Sequence, residues 1–310
     1  MGAQPAAAKT RRAFCSAVSS ASDEPLAATA SRVDHWLLVE YRGAWARDPL
    51  AASALSPQLK EHLRTQVAAL PHTRLLFVKK PGRHAQAAAR AFLAASRPGE
   101  ERLLELELEQ PDDLLAVELP AALAGAGKAT RSEEPLVVVC THGKRDRCCA
   151  LHGRPLYDAL RHEADSARVW QSTHVGGDRF AGNVVVLPHG LYYGRVEPAD
   201  AAGLVAAHAD GRIDLARYRG RSAWPFAVQA AERALREGEG LLGIADLELL
   251  STRRGDDGGR RVRFRTPDGA VHELHVVEAL ADEPTYLTCD SAEPRRARRW
   301  RVTAHDVISR

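Results

Sequence analysis

Two short stretches concentrate the side chains able to do chemistry. The first is Cys140-Thr-His142-Gly-Lys144-Arg145-Asp146-Arg147-Cys148-Cys149; the second is Ser172-Thr-His174-Val-Gly176-Gly177-Asp178-Arg179-Phe-Ala-Gly-Asn183. Soft thiolates beside imidazole, presented on loops, suit zinc or an iron–sulfur centre, whereas hard cations take oxygen cages. Cys140 and Cys149 enclose eight residues, enough for a loop to wrap a cluster; a structural zinc knuckle has about two to four. Gly176 and Gly177 permit a close backbone approach or a sharp turn. Each residue also has a plainer reading. Cys140 fits a small buried hydrophobe at a strand end, Asp178 a turn carboxylate capping backbone N–H groups, and His189 of Pro-His-Gly a hairpin-turn residue. His272-Glu-Leu-His275 is one residue short of zincin spacing, and on a strand its histidines face opposite ways.

These loops sit in a chain of 310 residues, about two domains' worth. With 45% hydrophobic and 27% charged residues the composition is globular, and a net charge of +3 gives no reason to expect nucleic acid or membrane as a partner. The basic residues are 37 arginines and six lysines, a coding bias read as a bacterial source. Five cysteines, two of them adjacent, point to reduced thiols in a cytoplasmic protein; Cys15 and Cys289 have no evident partner. Thr10-Arg11-Arg12-Ala13-Phe14 brushes against an export signal but runs into Ser19, Ser20, Asp23 and Pro25. No stretch approaches ~20 apolar residues. Gly125-Ala-Gly127-Lys128 is no P-loop, because Ala122 and Ala129 fall where a glycine and a hydroxyl are needed.

The elements that must carry the loops follow from pattern. Residues 1–30 read as a loosely ordered arm, 31–130 as an α/β region, 131–220 as the layer that carries both loops, and 221–310 as a small α+β extension. Strands are expected at His35–Tyr41, Arg74–Lys79 and Arg102–Glu109, with another at Asp113–Glu118. Ser56-Pro57 opens a helix with Leu59, Leu63, Val67 and Leu70 on one face. Ala124–Glu134 reads as a linker. Then come a strand Pro135–Val139, a helix Pro155–Glu163, a strand Ala167–Trp170, a hairpin Asn183–Val196 and a helix from Glu197-Pro198. That order is the one-dimensional image of a thioredoxin-like mixed sheet flanked by helices. A helix from Ser222 to Leu235 and strands at Arg261–Arg265, Ala270–Val277 and Trp300–Thr303 complete the chain. The arginines from Arg295 to Arg301 read as a solvated strand edge.

The strand-ending Cys140, the Arg145-Asp146 pair before Cys149, and His174-Val-Gly-Gly-Asp178-Arg-Phe-Ala-Gly-Asn183 resemble the sucrase/ferredoxin-like family of thioredoxin-like ferredoxins. The resemblance covers roughly residues 15–220. It implies a 2Fe-2S cluster held by Cys140, Cys149 and His174, with Gly176, Gly177, Arg145 and Arg179 around it. It also implies electron transfer or redox sensing with an unidentified redox partner protein, and it admits a homodimer. The family's second histidine is replaced by Asp178, at intact spacing. Either Asp178 ligates iron, or His189, Cys148 or His142 supplies the fourth ligand, or the cluster is absent. Two alternatives stand beside it: a cluster-free thiol redox protein using Cys148 or Cys149, and a structural zinc-binding or scaffolding domain. No nucleophile–base pair or paired carboxylates indicate catalysis.

Overall fold

The computed structural model describes residues 13–81 and 88–309. Helix α1 (Cys15–Ala21) precedes β1 (His35–Glu40), α2 (Pro57–Ala69), β2 (Thr73–Lys79), β3 (Ala89–Ala95), β4 (Arg102–Leu108), α3 (Leu119–Leu123) and β5 (Thr130–Ser132). Next come β6 (Leu136–Cys140), α4 (Arg147–Glu163), β7 (Val169–Ser172), β8 (Val184–Leu187), β9 (Leu191–Tyr193), α5 (Ala201–Ala209) and β10 (Tyr218–Arg221). Helix α6 (Phe226–Glu239) and β11 (Glu248–Arg254), β12 (Arg260–Arg265), β13 (Val271–Leu280) and β14 (Arg298–Ser309) end the chain.

Ten strands form one mixed sheet in the order β10-β9-β8-β6-β7-β2-β1-β3-β4-β5. The order contains the same unit twice. β1 runs parallel to β2 and antiparallel to β3, which is antiparallel to β4. β6 runs parallel to β7 and antiparallel to β8, which is antiparallel to β9. Each parallel pair is bridged by a helix, α2 or α4, so both halves have the strand order of a thioredoxin-like layer. They meet back to back where Val78 and Lys79 pair antiparallel with Ser172 and Gln171.

Both central strands are buried on both faces, which is why they read as unbroken apolar runs. One face forms a core common to the two halves, with Trp36, Leu38, Val78, Phe92, Val138, Cys140, Trp170 and Val185. On the other face each half has its own core: Leu37, Val39, Leu59 and Leu63 under α2, and Val139, Leu156, Leu160 and Val184 under α4. The remaining four strands form a separate antiparallel sheet, β11-β12-β13-β14, packed on α6. A fully buried ion pair within α6, Arg236 Nε to Glu232 Oε1 at 3.0 Å, receives the Tyr218 hydroxyl from β10 at 3.1 Å.

Several expectations are corrected. Residues 13–30 are not a loose arm: Cys15, Ser16 and Ser19 of α1 are buried, and Ala30 joins the shared core. Residues 1–12 of that stretch lie outside the described residues. Asp113–Glu118 is no strand; a 3-10 turn occupies Pro111–Ala116, with Asp113 capping the Gln110 N–H. The Ala124–Glu134 linker contains β5, and Ala89–Ala95, not anticipated, is a strand inside the sheet. Helix α4 begins eight residues before Pro155. Its cap is Asp146, whose carboxylate accepts from Cys148 N at 2.9 Å. Pro155 forfeits one internal hydrogen bond, while Cys149, Gly153, Leu156 and Leu160 keep both parts of the helix buried along one face.

Candidate functional site

Cys140 ends β6, and Cys149 lies in the first turn of α4, so the thiols come from a strand end and a helix start. Gly153 allows this: a Cβ there would stand 2.0 Å from the Cys140 carbonyl oxygen, so only glycine lets α4 lie against the strand end. The helix N-terminus also favours a thiolate near it. From beyond β7, His174 and Asp178 close the other side. His174 Nδ1 lies 4.0 Å from Cys140 Sγ, 3.8 Å from Cys149 Sγ and 3.0 Å from Asp178 Oδ1. Cys149 Sγ is 3.5 Å from the same Asp178 oxygen. The three ligands implied by the resemblance, Cys140, Cys149 and His174, therefore converge, and of the candidates for the fourth place it is Asp178 that joins them.

Charge is shared unevenly among them. The Cys149 hydrogen bond holds the Cys140 thiol well below its usual value, against burial and with help from His174. The reciprocal hydrogen bond and burial push Cys149 up. Burial pulls His174 down, but Cys140 and Asp178 outweigh it and raise the imidazole. Burial lifts Asp178 to about 6, opposed by His174. Two buried thiols, a half-buried imidazole and a buried carboxyl side by side are the donor types a thiophilic metal takes.

The second loop is held from outside. The Val175 carbonyl accepts from Tyr192 Oη at 3.0 Å, from Ser31 Oγ at 3.2 Å and from Arg74. Arg219 of β10, fully buried, donates to the Gly176 carbonyl at 3.1 Å and to Asn183 Oδ1 at 2.7 Å, and Asn183 donates to the Gly177 carbonyl at 2.9 Å. Gly176 and Gly177 have φ of +101° and +81°. Gly177 is needed on two counts: its left-handed φ disfavours any side chain, and a Cβ there would stand 2.3 Å from the Arg219 guanidinium. Arg219 and Gly153 are the functional residues that sequence reasoning missed.

The other candidates lie elsewhere. His142 Nε2 bonds the Ala46 carbonyl at 2.8 Å, and His189 sits beside Glu101. Cys148 turns away into a second group with Cys15 and Cys289. Arg179 pairs with Glu24 at 2.8 Å and stacks on Phe180, so it is committed to the N-terminal segment and not to the site. Arg145 is exposed and, with Arg47, His142 and His174, lines a cavity of about 350 Å³. His272 bonds His305 at 2.8 Å while His275 faces Thr303 and Asp257, opposite ways as expected.

Cys140 at a strand end, Cys149 at a helix start and His174 on the loop beyond β7 thus meet on one thioredoxin-like layer. Residues 26–220 match the family described as sucrase/ferredoxin-like, and the chain belongs to that family. Curated relatives are the "Altered inheritance of mitochondria protein 32" of Meyerozyma guilliermondii, 40% identical over 28% of this chain and 34% of its own length, and of Clavispora lusitaniae, 33% identical over 33% and 45%. The match thus spans less than half the length of these relatives. They are fungal, against the bacterial source expected from the arginine bias. Among solved structures, the thioredoxin-like 2Fe-2S ferredoxin of Aquifex aeolicus aligns with 20% identity over 30% of this chain and 97% of its own, at a TM-score of 0.28. A cysteine variant of it aligns at 21% over 25% and 89%, TM-score 0.23. No helix among the described residues is long and apolar enough to cross a membrane.

Proposed function

We propose that the chain is a 2Fe-2S protein of the electron-transfer or redox-sensing type, held by Cys140 and Cys149 on one side and by His174 and Asp178 on the other. The observation that carries this reading is the convergence of those four donors from three segments, with His174 bordering the open cavity. The donor types fit, two thiols on one side and an adjacent imidazole nitrogen and carboxyl oxygen 3.0 Å apart on the other, and a two-iron core would seat between them with the pairs drawn apart. When bound, such a cluster accepts and releases one electron. The chain's part is to exclude water around the sulfurs and to set the charge. Two ferric ions, two sulfides, two thiolates, one imidazole and one carboxylate sum to −1, where two imidazoles would give zero. The extra negative charge opposes reduction and lowers the potential. An unidentified partner protein would meet the site from the cavity side, and free thiols suit a reducing compartment such as the cytoplasm.

The distances also favour a second reading. The Cys140, Cys149 and His174 donors all lie within 4.8 Å of one another, near the ~3.3–3.8 Å edges of a tetrahedron around one zinc ion with bonds of ~2.0–2.3 Å. A two-iron core needs the two donor pairs further apart. A thiol enzyme is disfavoured, since attack on a substrate needs an accessible thiolate and Cys148 and Cys149 are 0% and 1% exposed. Anaerobic purification with iron, sulfide and zinc analysis decides between the readings. Two irons and two sulfides with charge-transfer absorption support the cluster, and Asp178→His should then raise its potential. A colourless protein after anaerobic reconstitution, carrying one zinc, would sink it.

A further inference from the structure

Outside this site, the largest concentration of reactive side chains is where α1, α4 and the segment between β13 and β14 meet. Cys15 Sγ lies 3.6 Å from Cys148 Sγ, Cys148 Sγ 3.3 Å from Cys289 Sγ, and Cys289 Sγ 3.6 Å from Cys15 Sγ. The Asp146 carboxylate faces this triangle, its oxygens 3.8 and 4.0 Å from Cys15 Sγ. All four side chains are buried. Among the described residues no arginine, lysine or histidine pairs with Asp146, so a carboxylate and three thiols share a closed space without a cation.

We infer that Cys15, Cys148, Cys289 and Asp146 form a second metal site, holding one tetrahedral zinc ion that ties α1 and the C-terminal unit to the first turn of α4. Zinc–thiolate bonds of ~2.3 Å give sulfur–sulfur edges of ~3.8 Å, so the triangle opens by a few tenths of an ångström to seat the ion. Binding displaces the protons still on the thiols, and three thiolates with one carboxylate leave a net charge of −2. The surroundings orient the donors as an outer shell does. Cys148 N and Cys289 N donate to the two Asp146 oxygens at 2.9 and 2.7 Å, and Ser16 Oγ donates to Cys148 Sγ at 3.2 Å. A disulfide accounts for less: it would join two sulfurs and leave the third, with the carboxylate, unexplained. Adjacent residues point about 100° apart around a helix, which is how Cys148 and Cys149 serve different sites. The inference does not rest on the 2Fe-2S reading.

The test uses the full chain carrying Cys140→Ser and Cys149→Ser, which removes the first site, expressed with added zinc and dialysed. One zinc per chain is expected, falling at least tenfold when Cys289→Ser is added. Asp146→Asn, which keeps the helix cap, should weaken zinc about 10–100-fold against a competing chelator. Zinc below a tenth of an equivalent with three freely alkylated thiols overturns the inference. So does a disulfide among Cys15, Cys148 and Cys289 in anaerobically prepared protein. Should the double variant not fold, Cys289→Ser alone against the unaltered chain gives the same reading: loss of one zinc supports the site, and equal zinc refutes it.

Discussion

The two halves of the ten-stranded sheet have the same strand order and directions, yet among the described residues only the second gathers thiols and imidazole. In the first half β1 ends on Glu40, and sixteen residues (41–56) pass before α2. Glu40 is buried and satisfied, accepting from Arg42 Nε at 2.9 Å and from Arg90 N at 3.0 Å. In the second half β6 ends on Cys140, and six residues (141–146) lead into α4. The short connection brings the helix start back over the strand end, so Cys149 meets Cys140. A shared layer does not confer a shared chemistry; the site is built from the loops and helix starts that the layer positions.

The largest effect that would break this comparison is at the donors. Cys149→Ser should reduce bound metal at least tenfold, read by metal analysis, whereas Glu40→Gln at the equivalent strand end should leave it unchanged. Next comes the buttress. Arg219→Met leaves the Gly176 carbonyl and Asn183 without their donor and should cost about 3–5 kcal/mol in denaturant unfolding, because each buried acceptor left without a partner costs about 1–3 kcal/mol. Gly153→Ala forces α4 off the Cys140 carbonyl and should cost about 1–3 kcal/mol while weakening metal retention. Glu40→Gln itself should cost about 1–2 kcal/mol, the loss of a charge-assisted hydrogen bond.

The smallest effect is pH-dependent and belongs to the second half alone. His208 of α5 is held neutral, its pKa lowered to about 4 by burial, with its Nε2 2.8 Å from the Tyr193 hydroxyl. The folded value lies below the unfolded one of 6.5, so this stabilisation is complete above pH 6.5 and is lost as pH falls towards 4. Acid should therefore loosen the α5 side first, seen as hydrogen exchange. His208→Gln should flatten the stability profile between pH 6.5 and 4.

Legibility in the sequence followed local physics. β1, β2, β4 and β6 were readable because apolar runs and alternation are local signals. So was α2, whose Ser56 side chain accepts from Leu59 N at 3.2 Å as its pattern required. β3 escaped notice because Ala-Arg-Ala-Phe-Leu-Ala-Ala lacks β-branched residues, and only its place between β1 and β4 makes it a strand. The start of α4 is not legible locally: Pro155 reads as a first helical residue, whereas the cap, Asp146, lies among charges with several other uses.

By itself the sequence marked most of the strands and the two loops that carry thiols and imidazole, because apolar runs and residue types are local signals, while the resemblance to the family grouped Cys140 and Cys149 with His174 and raised Asp178 as one candidate beside them. The tertiary structure alone decided that two like halves share one sheet, that Arg219 holds the ligand loop, and that Cys15 and Cys289 meet Cys148. Cys15 and Cys289 are separated by 274 residues. No local period or spacing encodes such a contact; only the burial of α1 and the C-terminal unit against α4 brings it about.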